Sequence, residues 1–269
     1  MLPRSYLFVP ADRPERFAKA MASGADAVII DLEDAVAPSA KAAARQALSA
    51  WLDRGSGGVA VRINAVDTPW FAADLAVAAH AGVTAIVLPK AERAQDLAQV
   101  LGQAPHAALL PLVETAVGID RVREVAGADG VQRLLFGSID LQLDLGIDGE
   151  GEELLVYRAQ LVLASRLAGI AAPVDGVCTA LDDEALLRAE TRRARRFGFG
   201  AKLCIHPRQV APVNEAFRPT AEELDWARRV VDATAKADGA AIAVDGKMVD
   251  RPVLLRAQAL LLQAPEQKP

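Results

Sequence analysis

Two carboxylates carry the clearest chemistry in this sequence. Glu114 closes the apolar run Leu109-Leu110-Pro111-Leu112-Val113, and Asp140 follows Phe136-Gly137-Ser138-Ile139. Short runs of this kind, apolar on both faces, are strands of a buried parallel sheet, so the two acids stand at the ends of neighbouring strands. Two hard oxygen ligands, with the other positions left to water and substrate, suit Mg2+ or Mn2+. No histidine or cysteine lies near them in sequence, which argues against zinc. Taken singly, Glu114 could cap the next helix and Asp140 could be a loop acid, since helix N-termini favour acids. Their joint placement favours a metal.

Other polar residues also end apolar runs. Arg62, in Val61-Arg62-Ile63-Asn64, must be paired if it points inward; Glu33 or Asp34 would pair it, and its fork could also bind a substrate carboxylate or an enolate oxygen. The turn Asp31-Leu32-Glu33-Asp34 crowds three carboxylates, an arrangement that needs a cation or an arginine nearby. Glu33 and Asp34 are expected to orient metal-bound waters, or else to cap the helix near Pro38. Gly137-Ser138 offers backbone N–H groups to a substrate oxygen, or is a plain turn. Lys90, after Leu88-Pro89, could form a Schiff base, but an ion pair with an acidic loop is the simpler reading. His206, in Cys204-Ile205-His206-Pro207, is a general base or a structural or cofactor-contacting residue.

The elements that must position these residues repeat along the chain. Strand-like runs at 6–9, 27–30, 59–61, 85–88, 108–113, 133–136, 171–174 and 202–205 alternate with Ala/Leu/Arg/Glu-rich stretches of helical spacing such as Pro38 to Leu52 and Glu152 to Leu167. Eight such units predict a closed (β/α)8 TIM barrel; an open doubly wound sheet is the rival. An open sheet gathers its site at one switch point, whereas here polar residues follow nearly every run, as they do where all strands of a barrel open onto one face. The barrel, residues 1–219, is therefore the catalytic domain. Residues 220–269 form a C-terminal extension: a helix (221–237), a turn at Asp238-Gly239, an extended piece (241–244), a turn at Asp245-Gly246 and a helix from about Pro252 to Leu262. Leu254, Leu255, Ala259 and Leu262 form an apolar stripe there that needs a barrel or a neighbouring subunit to pack on. Pro265 to Pro269 should fray.

Composition narrows the function. The 269 residues are 52% hydrophobic and 24% charged, with a net charge of −5; that is ample for a large core and too acidic for a nucleic-acid binder. The arginines from Arg188 to Arg196 read as a solvated helix face. No run reaches the ~20 apolar residues of a membrane span, and the start lacks a basic region followed by an apolar stretch. Cys178 and Cys204 read as small core residues, not a disulfide or zinc site. The chain is expected in the cytoplasm.

Taken in order, several motifs resemble the HpcH/HpaI aldolase–citrate lyase superfamily, specifically its citrate lyase beta-subunit-like members. They are Arg4-Ser5-Tyr6-Leu7-Phe8-Val9-Pro10, Asp31-Leu32-Glu33-Asp34-Ala35-Val36, Val61-Arg62-Ile63-Asn64, Leu88-Pro89-Lys90, Pro111-Leu112-Val113-Glu114-Thr115, Phe136-Gly137-Ser138-Ile139-Asp140-Leu141, Ile205-His206-Pro207 and Met248-Val249-Asp250. The resemblance implies Glu114 and Asp140 as Mg2+ ligands, Arg62 and the Gly137 backbone as substrate-binding, and Phe8, Arg16, Lys19, Ile205 and His206 as CoA contacts. Glu15 stands where a relative has a basic residue. Asp250 matches a catalytic aspartate that a neighbouring subunit delivers, which implies a homo-oligomer, specifically a trimer. The loop Gly137 to Gly146 looks like that of stand-alone (3S)-citramalyl-CoA lyases. The implied reaction is Mg2+-dependent cleavage of a 3-hydroxyacyl-CoA; the alternatives are a citrate lyase beta subunit served by a carrier protein and a metal aldolase of 2-oxo-4-hydroxy acids.

Overall fold

The computed structural model describes residues 2–236 and 242–263. Eight parallel strands close into one barrel in sequence order. They are β1 (Ser5–Pro10), β2 (Ala27–Asp31), β3 (Val59–Arg62), β4 (Val83–Leu88), β5 (Ala108–Val113), β6 (Arg133–Phe136), β7 (Ala171–Asp175) and β8 (Ala201–Cys204). Closure is direct: β1 pairs on one side with β2 (Tyr6↔Ala27) and on the other with β8 (Ser5↔Lys202). Every expected run is a strand: β5 and β6 have the expected bounds, β8 is shifted one residue earlier, and the other five are longer by a residue or two. The open-sheet alternative is excluded.

The strands are apolar on both faces because both are buried. Tyr6, Ile29, Ala60, Val87, Leu110, Leu112, Leu135 and Leu203 pack together as one core cluster of the barrel. Residues at the alternate positions, such as Leu7, Ile30, Val61 and Ile86, are equally buried and by strand alternation face the helices. At the start of β6 the Arg133 side chain is buried; its Nη1 donates to Pro3 O at 2.6 Å and its Nε to Ala172 O. Its guanidinium lies 5.7 Å from the Tyr6 ring centre. Gly200 makes room for it, since a Cβ there would come within 2.5 Å of Nη2. This guanidinium is buried among Pro3, Tyr6 and Ala172 near the end of the barrel where the strands begin.

A second charged group lies behind β7 and β8. Lys202 Nζ is 3.3 Å from both Asp175 and Glu190, and Arg158 meets Asp175 at 2.9 Å. Cys178 and Cys204 are free and buried, as expected of core residues. The arginine-rich segment lies on the helix Glu184–Phe197, which buries Leu187, Glu190, Thr191 and Ala194.

Contacts divide the chain into Met1–Asn214 and Glu215–Pro269, slightly ahead of the expected junction at 219/220. The second unit has a helix Ala221–Lys236, an antiparallel hairpin of β9 (Ile242–Val244) and β10 (Lys247–Val249), and a helix Arg251–Leu262. The strand β10 was not foreseen. The expected apolar stripe also needs correction. Ala257 and Leu260 are the buried residues of the last helix, with Val253, Leu254 and Leu261 partly buried in the same cluster. Leu255 and Leu262 are 55% and 85% exposed. That helix is apolar on two faces, and sequence periodicity did not identify which one packs. The turn at Asp238-Gly239, the residues Ala237 and Ala241, and the end Pro265 to Pro269 lie outside the described residues.

Candidate active site

Strand register assembles the site at the ends of β2, β3, β5 and β6. Asp31 and Arg62, last residues of adjacent strands, are paired in register. Arg62 Nε and Nη2 donate to the two oxygens of Asp31 at 2.7 and 2.6 Å. Its Nη1 is an ion-pair partner of Glu33 at 2.9 Å and of Asp34 at 3.7 Å. Burial works against a charged guanidinium, but Asp31, Glu33 and Asp34 together outweigh it and hold Arg62 above its ordinary range. The expected pairing of Arg62 with Glu33 and Asp34 is present; its main partner, Asp31, was missed. The Arg62 guanidinium also lies 4.8 Å from the Phe8 ring centre, close enough for cation–π attraction.

The acidic turn is fixed from several sides. Asp31 accepts from the backbone of Glu33 at 2.9 Å and Ala35 at 3.2 Å. Buried Lys41 donates to Leu32 O and Glu33 O at 2.8 and 2.9 Å, and Asn64 donates to Leu32 O at 2.9 Å. None of these acids caps the helical turn at Pro38, whose N-cap is Ala37 with no side-chain bond. Lys41 was not identified from the sequence, because its partners are backbone carbonyls brought close only by folding.

Glu114 is only 2% exposed. It does not cap the next helix, because Thr115 accepts from Gly118 N at 3.0 Å and does so instead. Its Oε1 accepts from Lys90 N at 2.8 Å. Lys90 adopts a left-handed backbone, φ 48°, and that conformation accompanies the bond. Gly137 is required on the other side: a Cβ there would overlap Glu114 Cβ and Oε2. Asp140 lies in the first turn of the helix Ser138–Leu145, not in a loop. Burial and then the negative neighbours Glu33 and Asp140 raise the Glu114 carboxyl to about 8. Burial raises Asp140 too, with Asp34 adding to the effect. Glu33 rises to about 7 through burial, despite Arg62.

These residues surround one cavity of about 390 Å3, lined among others by Phe8, Asp31, Asp34, Arg62, Glu114, Gly137, Asp140 and Ile205. An adjoining cleft of about 540 Å3 shares Phe8, Pro10 and Ile205 with it and adds Arg16, Lys19, His206 and Arg208. Every expected CoA contact therefore lines that cleft, together with the unforeseen Arg208. Lys90 is half exposed, with Nζ 4.0 Å from Glu33, the ion pair expected of it. Asp250 lies in the second unit as N-cap of the helix Arg251–Leu262, accepting from Val253 N at 3.2 Å.

Among the described residues no group of three or more His, Cys, Asp or Glu is placed to hold a metal ion. Two carboxylates on an open cavity are a different arrangement, and their chemistry fits a divalent ion. Both are oxygen donors, both are pushed toward the neutral form by burial, and a cation would compensate the buried charge.

A barrel of this topology, with acids and an arginine at its mouth, is the frame of an enzyme site. The chain belongs to the HpcH/HpaI aldolase/citrate lyase family, which matches residues 4–207. A citrate lyase subunit beta-like protein of Mycobacterium tuberculosis is 43% identical over 97% of this chain and 95% of that protein. A (3S)-malyl-CoA thioesterase of Cereibacter sphaeroides is 36% identical over 97% of this chain and 94% of that protein. The crystal structure of CitE from Mycobacterium tuberculosis in complex with magnesium, acetoacetate and coenzyme A superposes with a TM-score of 0.86 at 40% identity, covering 97% of each chain. No described helix is long and apolar enough to cross a membrane.

Proposed function

We propose that the protein is a Mg2+-dependent carbon–carbon lyase that cleaves a 3-hydroxyacyl-CoA: citramalyl-CoA to pyruvate and acetyl-CoA, or malyl-CoA to glyoxylate and acetyl-CoA. One observation carries the reading. Glu114, Asp140 and Arg62 face a single cavity that continues into a cleft lined by Arg16, Lys19 and Arg208, room for a small hydroxyacid beside a phosphorylated arm. The related structure that contains magnesium and coenzyme A supports it.

Glu114 and Asp140 would hold the ion, with Mn2+ as a possible substitute. Bound there, it would supply Lewis acidity at the substrate hydroxyl and carboxylate. Glu33 and Asp34 would orient water at the site, and the Gly137 backbone would border the oxoacid. The Arg62 fork, anchored by Asp31, offsets negative charge as the bond breaks. The hydroxyl passes its proton to water at the site, the adjacent carbon–carbon bond cleaves to a ketoacid, and the acetyl-CoA enolate takes a proton at carbon. Asp250 is the proposed acid/base partner for that carbon, delivered by a neighbouring subunit of a homotrimer. Two free buried thiols support a reducing, cytoplasmic setting.

The relatives called (3S)-malyl-CoA thioesterase favour a second reading, hydrolysis of the thioester. Incubating the purified chain and Mg2+ with a panel of CoA thioesters separates the two. Ketoacid and acetyl-CoA in equal amounts support the lyase; free CoA thiol without ketoacid overturns it. Turnover only when a carrier protein is added would assign the chain to a citrate lyase complex.

A further inference from the structure

The turn after β8 carries a hydrogen-bond arrangement that decides what His206 can do. Gln209 is 2% exposed, and both ends of its amide are committed. Oε1 accepts from Ile205 N at 2.9 Å and His206 N at 3.3 Å, while Nε2 donates to Cys178 O at 2.9 Å. One end meets only donors and the other only an acceptor, so the amide has one sensible orientation. His206 in turn accepts at Nδ1 from Arg208 N, 3.2 Å away. A ring nitrogen that accepts an N–H carries no proton, so the neutral imidazole carries its proton on Nε2.

We infer that Gln209 is a positioning residue that presents His206 to the basic cleft as a fixed Nε2–H donor. With Nδ1 occupied and Nε2 protonated, the neutral ring has no free acceptor, so His206 binds an acceptor oxygen and does not act as a general base. The inference rests on the cleft taking the CoA arm, where the acceptor is a phosphate oxygen or a pantetheine carbonyl. Gln209 also ties Ile205, which lines both cavities, to the loop after β7.

The test compares turnover of the CoA thioester with that of pantetheine and N-acetylcysteamine thioesters of the same acyl group. Wild type must first prefer CoA over N-acetylcysteamine; without that preference the cleft reading itself fails. His206→Asn keeps the N-cap acceptor but removes the Nε2–H, and Gln209→Met removes the anchor. Each is expected to lower the preference for CoA about tenfold, the worth of one hydrogen bond. If the lost preference persists with the pantetheine thioester, a carbonyl is bound; if it vanishes there, a phosphate is. The double variant should lose no more than His206→Asn alone, because Gln209 acts through the ring. A merely structural role would lower all three substrates equally. Nitrogen-15 spectra of His206, one of three histidines, give a readout independent of folding losses in Gln209→Met. An Nε2–H tautomer in wild type supports the inference; an Nδ1–H tautomer, or an unchanged preference in His206→Asn, overturns it.

Discussion

Asp31 and Arg62 end adjacent parallel strands in register, and the guanidinium grips the carboxylate with two hydrogen bonds of 2.7 and 2.6 Å. The pair is nearly sealed from solvent, with the Arg62 side chain 11% and the Asp31 side chain 1% exposed. A fork anchored this way points in one direction before any substrate arrives, which is the preorganisation that electrostatic catalysis requires.

Arg62→Lys therefore keeps a charge but loses the two-pronged grip. It should reduce kcat/KM by roughly 100-fold or more, in the range seen when one stabilising donor is lost. Arg62→Met should in addition lower stability by about 3 kcal/mol, because Asp31 is left buried and unpaired. Steady-state kinetics and urea unfolding measure the two effects. Wild-type kinetics in Arg62→Lys would leave Arg62 a purely structural residue.

The pH dependence of stability tests Glu114. Burial, then Glu33 and Asp140, raise its carboxyl from 4.5 to about 8. A carboxyl raised on folding takes up a proton as the chain folds. Its contribution to the metal-free protein is complete below the unfolded value and is lost as pH climbs toward about 8. Glu114→Gln should lose less Tm across that window than metal-free wild type, the remaining decline coming from Glu33 and Asp140, which burial also raises. Mg2+ should raise the wild-type Tm, more near the top of the window than the bottom, and leave the inactive variant unmoved. An equal Mg2+ shift in both proteins would remove Glu114 from the ion site.

Lys90 should form no covalent adduct. Its ammonium is half exposed and 4.0 Å from Glu33, beside a carboxylate instead of in the desolvated or cationic setting that activates a lysine. Borohydride reduction in the presence of pyruvate or glyoxylate should leave the protein mass unchanged. A reduced adduct on Lys90 would transfer the enzyme to the Schiff-base class.

Asp250 needs a careful variant, because it caps the helix Arg251–Leu262. Alanine would remove the cap as well as the charge, whereas asparagine caps as well as aspartate. Asp250→Asn and Glu114→Gln should each be inactive, and a mixture whose subunits have exchanged should regain part of the activity. Exchange verified by mass with no recovery would mean that Asp250 acts within its own chain or is not catalytic.

Much of this was legible in the sequence. Each strand announced itself as a short doubly apolar run, and residues that end such runs converge in a barrel whatever their separation. Glu114, Asp140 and Arg62 could be found on that basis alone. Partners were harder. The bond between Asp31 and Arg62 depends on strand register, which neighbouring residues do not encode, so Glu33 and Asp34 were the partners named. Lys41, Asn64 and Gln209 act through backbone groups brought close only by folding. In the last helix, Leu255 and Leu262 looked as suited to packing as Ala257 and Leu260, because propensity and period are alike on the two faces.

The guanidinium of Arg133 is buried where the strands begin, and the cavity that holds the site lies at their other end. The small cavity has interior residues Leu112 and Leu203 in its wall, so it ends against the barrel core and a ligand that enters past Phe8 and Ile205 departs the same way. An arm lying in the adjoining cleft then stands in the exit of the fragment released inside. Traffic through such a vestibule runs last in, first out: in the proposed cleavage acetyl-CoA would leave before the ketoacid, and the ketoacid would be the product left behind to compete with the next arrival.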